Sequence, residues 1–125
     1  MPFPATYNFR YYKGDSYQFI LRPKNADGTN FDLTPFMYNA TTNPNNVKFV
    51  IANARGAAAT LTYNATGTVN DTDDTVTCTI TPTVGANLTS TVTWVYDVQI
   101  KDAVSAITYT LVNGTITVTD DISGA

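Results

Sequence analysis

The chain has 125 residues, enough for one domain that buries roughly two thirds of its unfolded surface. Seven Lys and Arg against ten Asp give a formal net charge of -3, and this leaves no surplus of cations for a phosphate backbone, so nucleic acid is excluded as an expected partner. The sequence contains no His, no Glu and one Cys, which removes the Ser-His triad, the commonest general base and any internal disulfide.

The start of the chain, MPFPATY, has neither a basic region nor an apolar run of signal-peptide length. Nowhere do eighteen apolar residues follow one another, so we expect no helix that crosses a membrane and no membrane partner. The sequence therefore predicts a protein that folds in the cytoplasm in which it is made.

Composition favours strands, since the chain holds 23 Thr, 8 Tyr and 6 Phe. Runs of alternating polar and apolar residues, bounded by proline and by turn residues, predict seven strands. Predicted turns separate them at Asp27-Gly28, Arg55-Gly56 and Thr66-Gly67 and at residues 70–74. In chain order, the strands cover residues 7–12, 16–22, 47–53, 59–63, 74–81, 91–101 and 106–119.

The clearest alternation lies in residues 91–101, where Trp94 is one of five apolar side chains on the predicted core face. Residues 74–81 repeat the pattern, and Cys78 is then a small core residue. In the last run, Asn113-Gly114 is a strong hairpin signal. We nevertheless expect this strand to continue through it, with a bulge or bend at Gly114, because residues 106–112 are the natural partner of residues 91–101.

These elements predict an all-β fold, an antiparallel β-sandwich of immunoglobulin-like type with about seven strands. Residues 82–88 could form one helical turn between sheets. We expect one domain over residues 1–125, with irregular tails at residues 1–6 and 120–125.

Candidate chemistry is sparse. Cys78 has no base to form a thiolate, and the adjacent carboxylates Asp73-Asp74 and Asp120-Asp121 point to opposite sides of an extended chain, so we expect no enzyme and no cofactor. A calcium loop around Asp71, Asp73 and Asp74 is an open alternative, although it lacks the glycine and the Glu of an EF-hand.

Aromatic residues crowd the start of the chain. Four of them are candidate contact residues that could stack on sugar rings or bind a partner: Tyr7, Phe9, Tyr11 and Tyr12. The alternative is that half of these rings fill the core, since alternate residues of a strand share a face.

Six segments together resemble one known module. Residues 11–19, 25–34 and 47–51 (YYKGDSYQF, NADGTNFDLT, VKFVI) are similar to the start of the immunoglobulin-like module at the N-terminus of phage baseplate upper proteins. Residues 79–82, 94–100 and 109–118 (TITP, WVYDVQI, YTLVNGTITV) follow its later order. The resemblance implies an anchoring or spacer domain in a virion and carries over no catalytic residue.

The resulting hypothesis is a structural component of a bacteriophage virion, in the tail, the baseplate or on the capsid surface. Its partners would be other virion proteins, contacted within a symmetric oligomer through edge strands or apolar docking. The alternative hypothesis is a carbohydrate-binding or adhesin module that recognises a host-surface glycan.

Overall fold

The computed structural model describes residues 5–105 and 107–120. This part of the chain forms eight strands, one short α-helix, α1 (Pro82–Gly85), and two 3-10 turns, Thr34–Phe36 and Gly56–Ala58. The prediction of an all-β fold is confirmed. The strands are β1 (Ala5–Thr6), β2 (Phe9–Tyr12), β3 (Tyr17–Leu21), β4 (Val47–Ala52), β5 (Thr62–Asn70), β6 (Thr75–Ile80), β7 (Thr93–Lys101) and β8 (Thr108–Thr119).

The strands form one curled sheet in the order β1-β8-β7-β4-β5-β6-β3, with β2 also beside β8. β1 and β2 run parallel to β8, and the other neighbours are antiparallel. The sheet curls so that β2, at one end, comes close to β3, at the other end. The core lies inside the curl. None of the described helices has the length and apolar character needed to cross a membrane.

β5 is the strand that turns the sheet. Its first four residues pair with β4, and the remaining five pair with β6. Gly67 lies where this change of partner occurs, and a Cβ atom there would be 2.3 Å from Val47 Cγ1. The predicted turn at Thr66-Gly67 is therefore wrong, and the strand predicted at residues 59–63 overlaps β5 only at Thr62 and Tyr63. The glycine is needed for close packing inside a strand and not for a turn.

The predicted core faces are confirmed for the two clearest strands. On β7 and β6 every second side chain is fully buried, as a period of two requires. The indole nitrogen of Trp94 donates a hydrogen bond to Thr89 O at 3.0 Å, which satisfies its one polar group. The largest fully buried side chains are Trp94, Tyr11, Tyr96, Phe49, Leu33, Ile51, Ile80, Leu88, Ile100, Ile116, Val76 and Val98.

β8 continues through Asn113-Gly114, as predicted, and pairs with β7 from Thr108 to Thr117. The bulge does not lie at Gly114, where we expected it. The register between β7 and β8 shifts instead between Val98 and Gln99, opposite Leu111. Gly114 instead allows the chain between β1 and β2 to pass very close, since a Cβ atom on it would be 2.0 Å from Tyr7 O.

Of the predicted first strand, residues 7–12, only Phe9–Tyr12 form a strand, β2. Tyr7 and Asn8 interrupt the ladder, and the side-chain oxygen of Asn8 accepts a hydrogen bond from Thr115 N at 2.9 Å. Residues 5 and 6, predicted to be part of an irregular tail, form β1 beside Val112 and Asn113. The rest of the predicted tails, apart from Asp120, lies outside the described residues.

Candidate interaction surface

The four predicted contact residues lie in two different environments. Phe9 and Tyr11 belong to the core, so the interpretation of their rings as a contact surface is wrong. Alternation along β2 explains this, because its first and third side chains point inward. Tyr7 is 40% exposed and Tyr12 is 59% exposed, so these two can meet a partner.

Tyr7 and Tyr12 do not form one patch. The Tyr7 ring stacks on Phe9, with 5.3 Å between ring centroids, and its hydroxyl lies 2.8 Å from the Tyr17 hydroxyl. Tyr12 occupies the solvent face of β2 together with Arg10. A flat platform of the kind that stacks on a sugar is therefore not built from these two rings.

Four aromatic rings close the gap between β2 and β3, and we call them the aromatic seam: Tyr7, Phe9, Tyr17 and Phe19. In the described part of the chain, β2 pairs only with β8 and β3 only with β6, so side chains replace a backbone ladder here. Phe9 and Tyr17 are nearly parallel, with centroids 4.6 Å apart. Burial, with the hydrogen bond to Tyr7, raises the pKa of Tyr17 to about 12. The seam holds the curled sheet together.

The backbone of Tyr7 fixes the seam to the sheet. Its N–H donates to Asn113 O at 2.9 Å, and its carbonyl accepts a hydrogen bond from the Tyr96 hydroxyl at 2.6 Å. Desolvation raises the pKa of Tyr96, which keeps this hydroxyl protonated as a donor.

Beyond the seam, the space between β1 and the end of β3 opens into a cavity of about 390 Å³, which we call the groove. Arg22 and Lys24 line it as well, and the Lys24 ammonium donates to the side-chain oxygen of Asn30. Sequence reasoning did not find the groove, because it forms only where two distant edge strands approach. Its apolar lining consists of Ala5, Ile20, Leu21, Pro23 and Leu111.

The turn that follows β7 exposes an apolar side chain. Val104 is 94% exposed, the highest value among the exposed large hydrophobic residues. One carboxylate oxygen of Asp102 accepts hydrogen bonds from Val104 N at 2.7 Å and Ser105 N at 3.1 Å. These bonds lower the pKa of Asp102, so the turn is ordered around an ionised carboxylate.

Two of the carboxylates considered as catalytic or calcium-binding groups accept hydrogen bonds from the chain, Asp73 within its own turn and Asp74 from a distant loop. Asp73 accepts a hydrogen bond from the Thr75 hydroxyl at 2.8 Å, and Asp74 accepts one from Leu33 N at 3.1 Å. Among the residues described, no three potential ligands lie together in a metal-binding group. Asp121, the second member of the pair at the C-terminus, lies outside the described residues.

Cys78 is fully buried, as predicted for a core residue. Burial raises the pKa of its thiol to about 12, so the nucleophilic thiolate is strongly disfavoured near neutral pH.

A second cleft, of about 240 Å³, lies on the outer face of the sheet and includes Asp97 and Arg55. Desolvation raises the pKa of Asp97, while the charge of Arg55 acts in the opposite direction. The Arg55 guanidinium donates to Gly114 O at 3.3 Å and so ties the loop after β4 across the sheet.

No protein-family model matches the chain, and no curated protein matches its sequence. What the chain does therefore has to be inferred from its strand order, its core and its surface.

Proposed function

We propose that this chain is a structural component of a bacteriophage virion, an immunoglobulin-like module that acts through protein–protein contacts and has no catalytic activity. Its partners are other virion proteins, and it works inside a symmetric assembly in the tail, the baseplate or on the capsid surface. The strand pairing is the observation that carries the proposal.

The order of the strands supports the immunoglobulin-like part of the proposal. In such a fold, strands C, F and G form one sheet, and strands B, E and D belong to the other. Here β4, β7 and β8 are adjacent, and so are β3, β6 and the second half of β5. β5 takes part in both groups, and for this reason the two sheets join into one curled sheet.

The resemblance to the phage module agrees with this arrangement. Three of the six segments that carry it lie in strands that build the core: residues 47–51 lie in β4, residues 94–100 in β7 and residues 109–118 in β8. The buried apolar residues of these segments belong to the hydrophobic core. The resemblance and the strand order thus support the same class of module.

The described side chains also favour a structural role over chemistry. The thiol of Cys78 is buried, and the carboxylates of Asp73 and Asp74 accept hydrogen bonds that order turns. The exposed surface offers threonine-rich strand faces and isolated apolar groups, which suit packing against other subunits.

Mass spectrometry of purified phage particles tests the proposal. We expect the chain in a fixed stoichiometry to the major tail or capsid protein, and a cryo-EM map should place it at symmetry-related positions. If the chain is made during infection but is missing from intact particles, the virion role is wrong.

Glycan recognition is the second candidate, and the exposure of Tyr12 beside Arg10 is the observation in its favour. Trp94, the only tryptophan, is fully buried and cannot stack on a sugar. Binding on a glycan array that is lost in Tyr12→Ala and kept in Tyr38→Ala, a comparably exposed tyrosine, would support this alternative.

A further inference from the structure

The Val104 turn (residues 102–105) and the groove beside β3 are complementary, and we infer that they bind each other between copies of this chain. Val104 of one copy enters the groove of the next copy. The inference rests on the proposed function, because it names the contact through which copies of a structural module would assemble.

The turn presents Val104 in a fixed position. Besides the two bonds that Asp102 accepts, Asp102 N donates to Ile107 O at 2.9 Å, and Ala103 N donates to Pro35 O at 3.0 Å. One exposed valine is ordinary on a protein surface. A valine in a turn that four hydrogen bonds hold, one of them from its own N–H, loses little backbone entropy when it docks, and this makes it a suitable anchor.

The groove offers the matching receptor. Ile20, on its wall, is 45% exposed, and the cavity is large enough for a branched aliphatic side chain. β3 also has no strand partner on its outer side in the described part of the chain. Docking at this place would cover both the apolar wall and the strand edge.

The charges of the groove and of the Val104 turn are opposite, which supports a second copy of the chain as the occupant of the groove. Residues 5–24 carry four cationic side chains and one carboxylate, in a chain whose net charge is -3. Arg22 and Lys24 line the groove, whereas the Val104 turn contains ionised Asp102. Docking therefore brings a carboxylate towards two cations, which favours the correct orientation of encounter more than it adds affinity.

Val104 does not fill the groove of its own copy, since almost its whole surface is exposed. Each copy therefore has one free turn and one free groove, and a contact between them links unlike surfaces. Such contacts build rings or linear arrays, depending on the rotation between neighbours.

Sedimentation equilibrium of the purified chain, from about 10 µM to about 1 mM, tests the inference. We expect concentration-dependent association of the unmodified protein. Val104→Asp and Ile20→Lys should each weaken the association about 10- to 100-fold, because this factor corresponds to the free energy of burying one aliphatic side chain. The matched control is Leu61→Asp, a change of another half-exposed aliphatic residue, in the segment before β5, and it should leave the association within about twofold.

Mixing the two variants tests the contact more directly. Val104→Asp keeps its groove and Ile20→Lys keeps its turn, so the two variants should form a one-to-one pair although neither associates alone. Circular dichroism checks that both remain folded, as expected for substitutions at exposed positions.

A chain that stays monomeric at about 1 mM overturns the inference, and so does a mixture of the two variants that does not associate. Equal weakening by Leu61→Asp would also overturn it. Virion composition is a separate measurement: a monomeric chain that is present in particles refutes only the contact. A chain that associates through Val104 but is missing from particles refutes only the virion role.

Discussion

Replacing Gly114 with Ala should destabilise the fold, because the chain between β1 and β2 passes directly over this residue. The added Cβ atom would lie 2.0 Å from Tyr7 O and 2.7 Å from Tyr7 C. Both are backbone atoms, so no side-chain rotation can relieve the overlap. Residues 7 and 8 have to move away from β8.

Three hydrogen bonds depend on that close approach: Tyr7 N to Asn113 O, the Tyr96 hydroxyl to Tyr7 O, and Thr115 N to the Asn8 side chain. At about 1 kcal/mol each, their loss costs about 3 kcal/mol. The lower entropy of the unfolded Ala chain returns about 0.4–1 kcal/mol. We therefore expect a net loss of about 2 kcal/mol and a melting temperature lower by roughly 10 °C.

Urea unfolding followed by the fluorescence of Trp94, which is fully buried when folded, measures this loss. Gly28→Ala is the control, since nothing lies within 4 Å of its added Cβ atom and only its φ of +88° opposes the change. That strain should cost about 1 kcal/mol. A stability of Gly114→Ala within about 0.5 kcal/mol of the unmodified protein would show that residues 7 and 8 do not approach Gly114 so closely.

Three further predictions concern buried and half-buried groups. Cys78 should not react with a thiol reagent at pH 8 in the folded protein and should react once per chain in denaturant, because the thiol is buried and its pKa is raised to about 12; rapid labelling without denaturant would contradict the burial. Phe49→Ala should cost about 3–5 kcal/mol in urea unfolding, since the ring packs between Phe19 and Tyr96 with centroids 5.6 and 5.7 Å away; a loss under about 1 kcal/mol would place Phe49 outside the core. Desolvation raises the pKa of Asp97, so its carboxyl group binds a proton more tightly in the folded state than in the unfolded state. The protonated carboxyl therefore adds to the stability below pH 3.8, and this contribution is lost as the pH rises through the pKa of the folded state. Asp97→Asn should therefore stabilise the protein at pH 7, by no more than about 1 kcal/mol because the group is partly solvated, and should flatten the acid limb of a stability curve; lower stability at pH 7 would indicate a favourable ion pair with Arg55.

Local patterns predicted the strands whose two faces meet different environments. On β7, water on one side and the core on the other impose a period of two, and this is visible in the order of residues alone. The continuation of β8 through Asn113-Gly114 was predictable because β7 is long and pairs with an antiparallel strand of similar length. The core position of Cys78 followed from the same alternation.

Errors arose where a residue serves a distant contact. Gly67 resembles a turn residue beside Thr66, but its small size is required by Val47, which lies twenty positions away in another strand. The aromatic residues of β2 were equally ambiguous, because alternation tells which rings share a face and not which face is buried. Only the approach of β3 decided that Phe9 is inside and Tyr12 outside.

The order of residues by itself determined the class of fold, most of the strands and the lack of histidine chemistry, since these depend on composition and on neighbours along the chain. Tertiary structure decided that the sheet curls into one piece through β5, that aromatic rings close it, and that a groove opens beside β3. These features depend on which distant strands come together, and chain closure over long separations is not encoded in any local pattern.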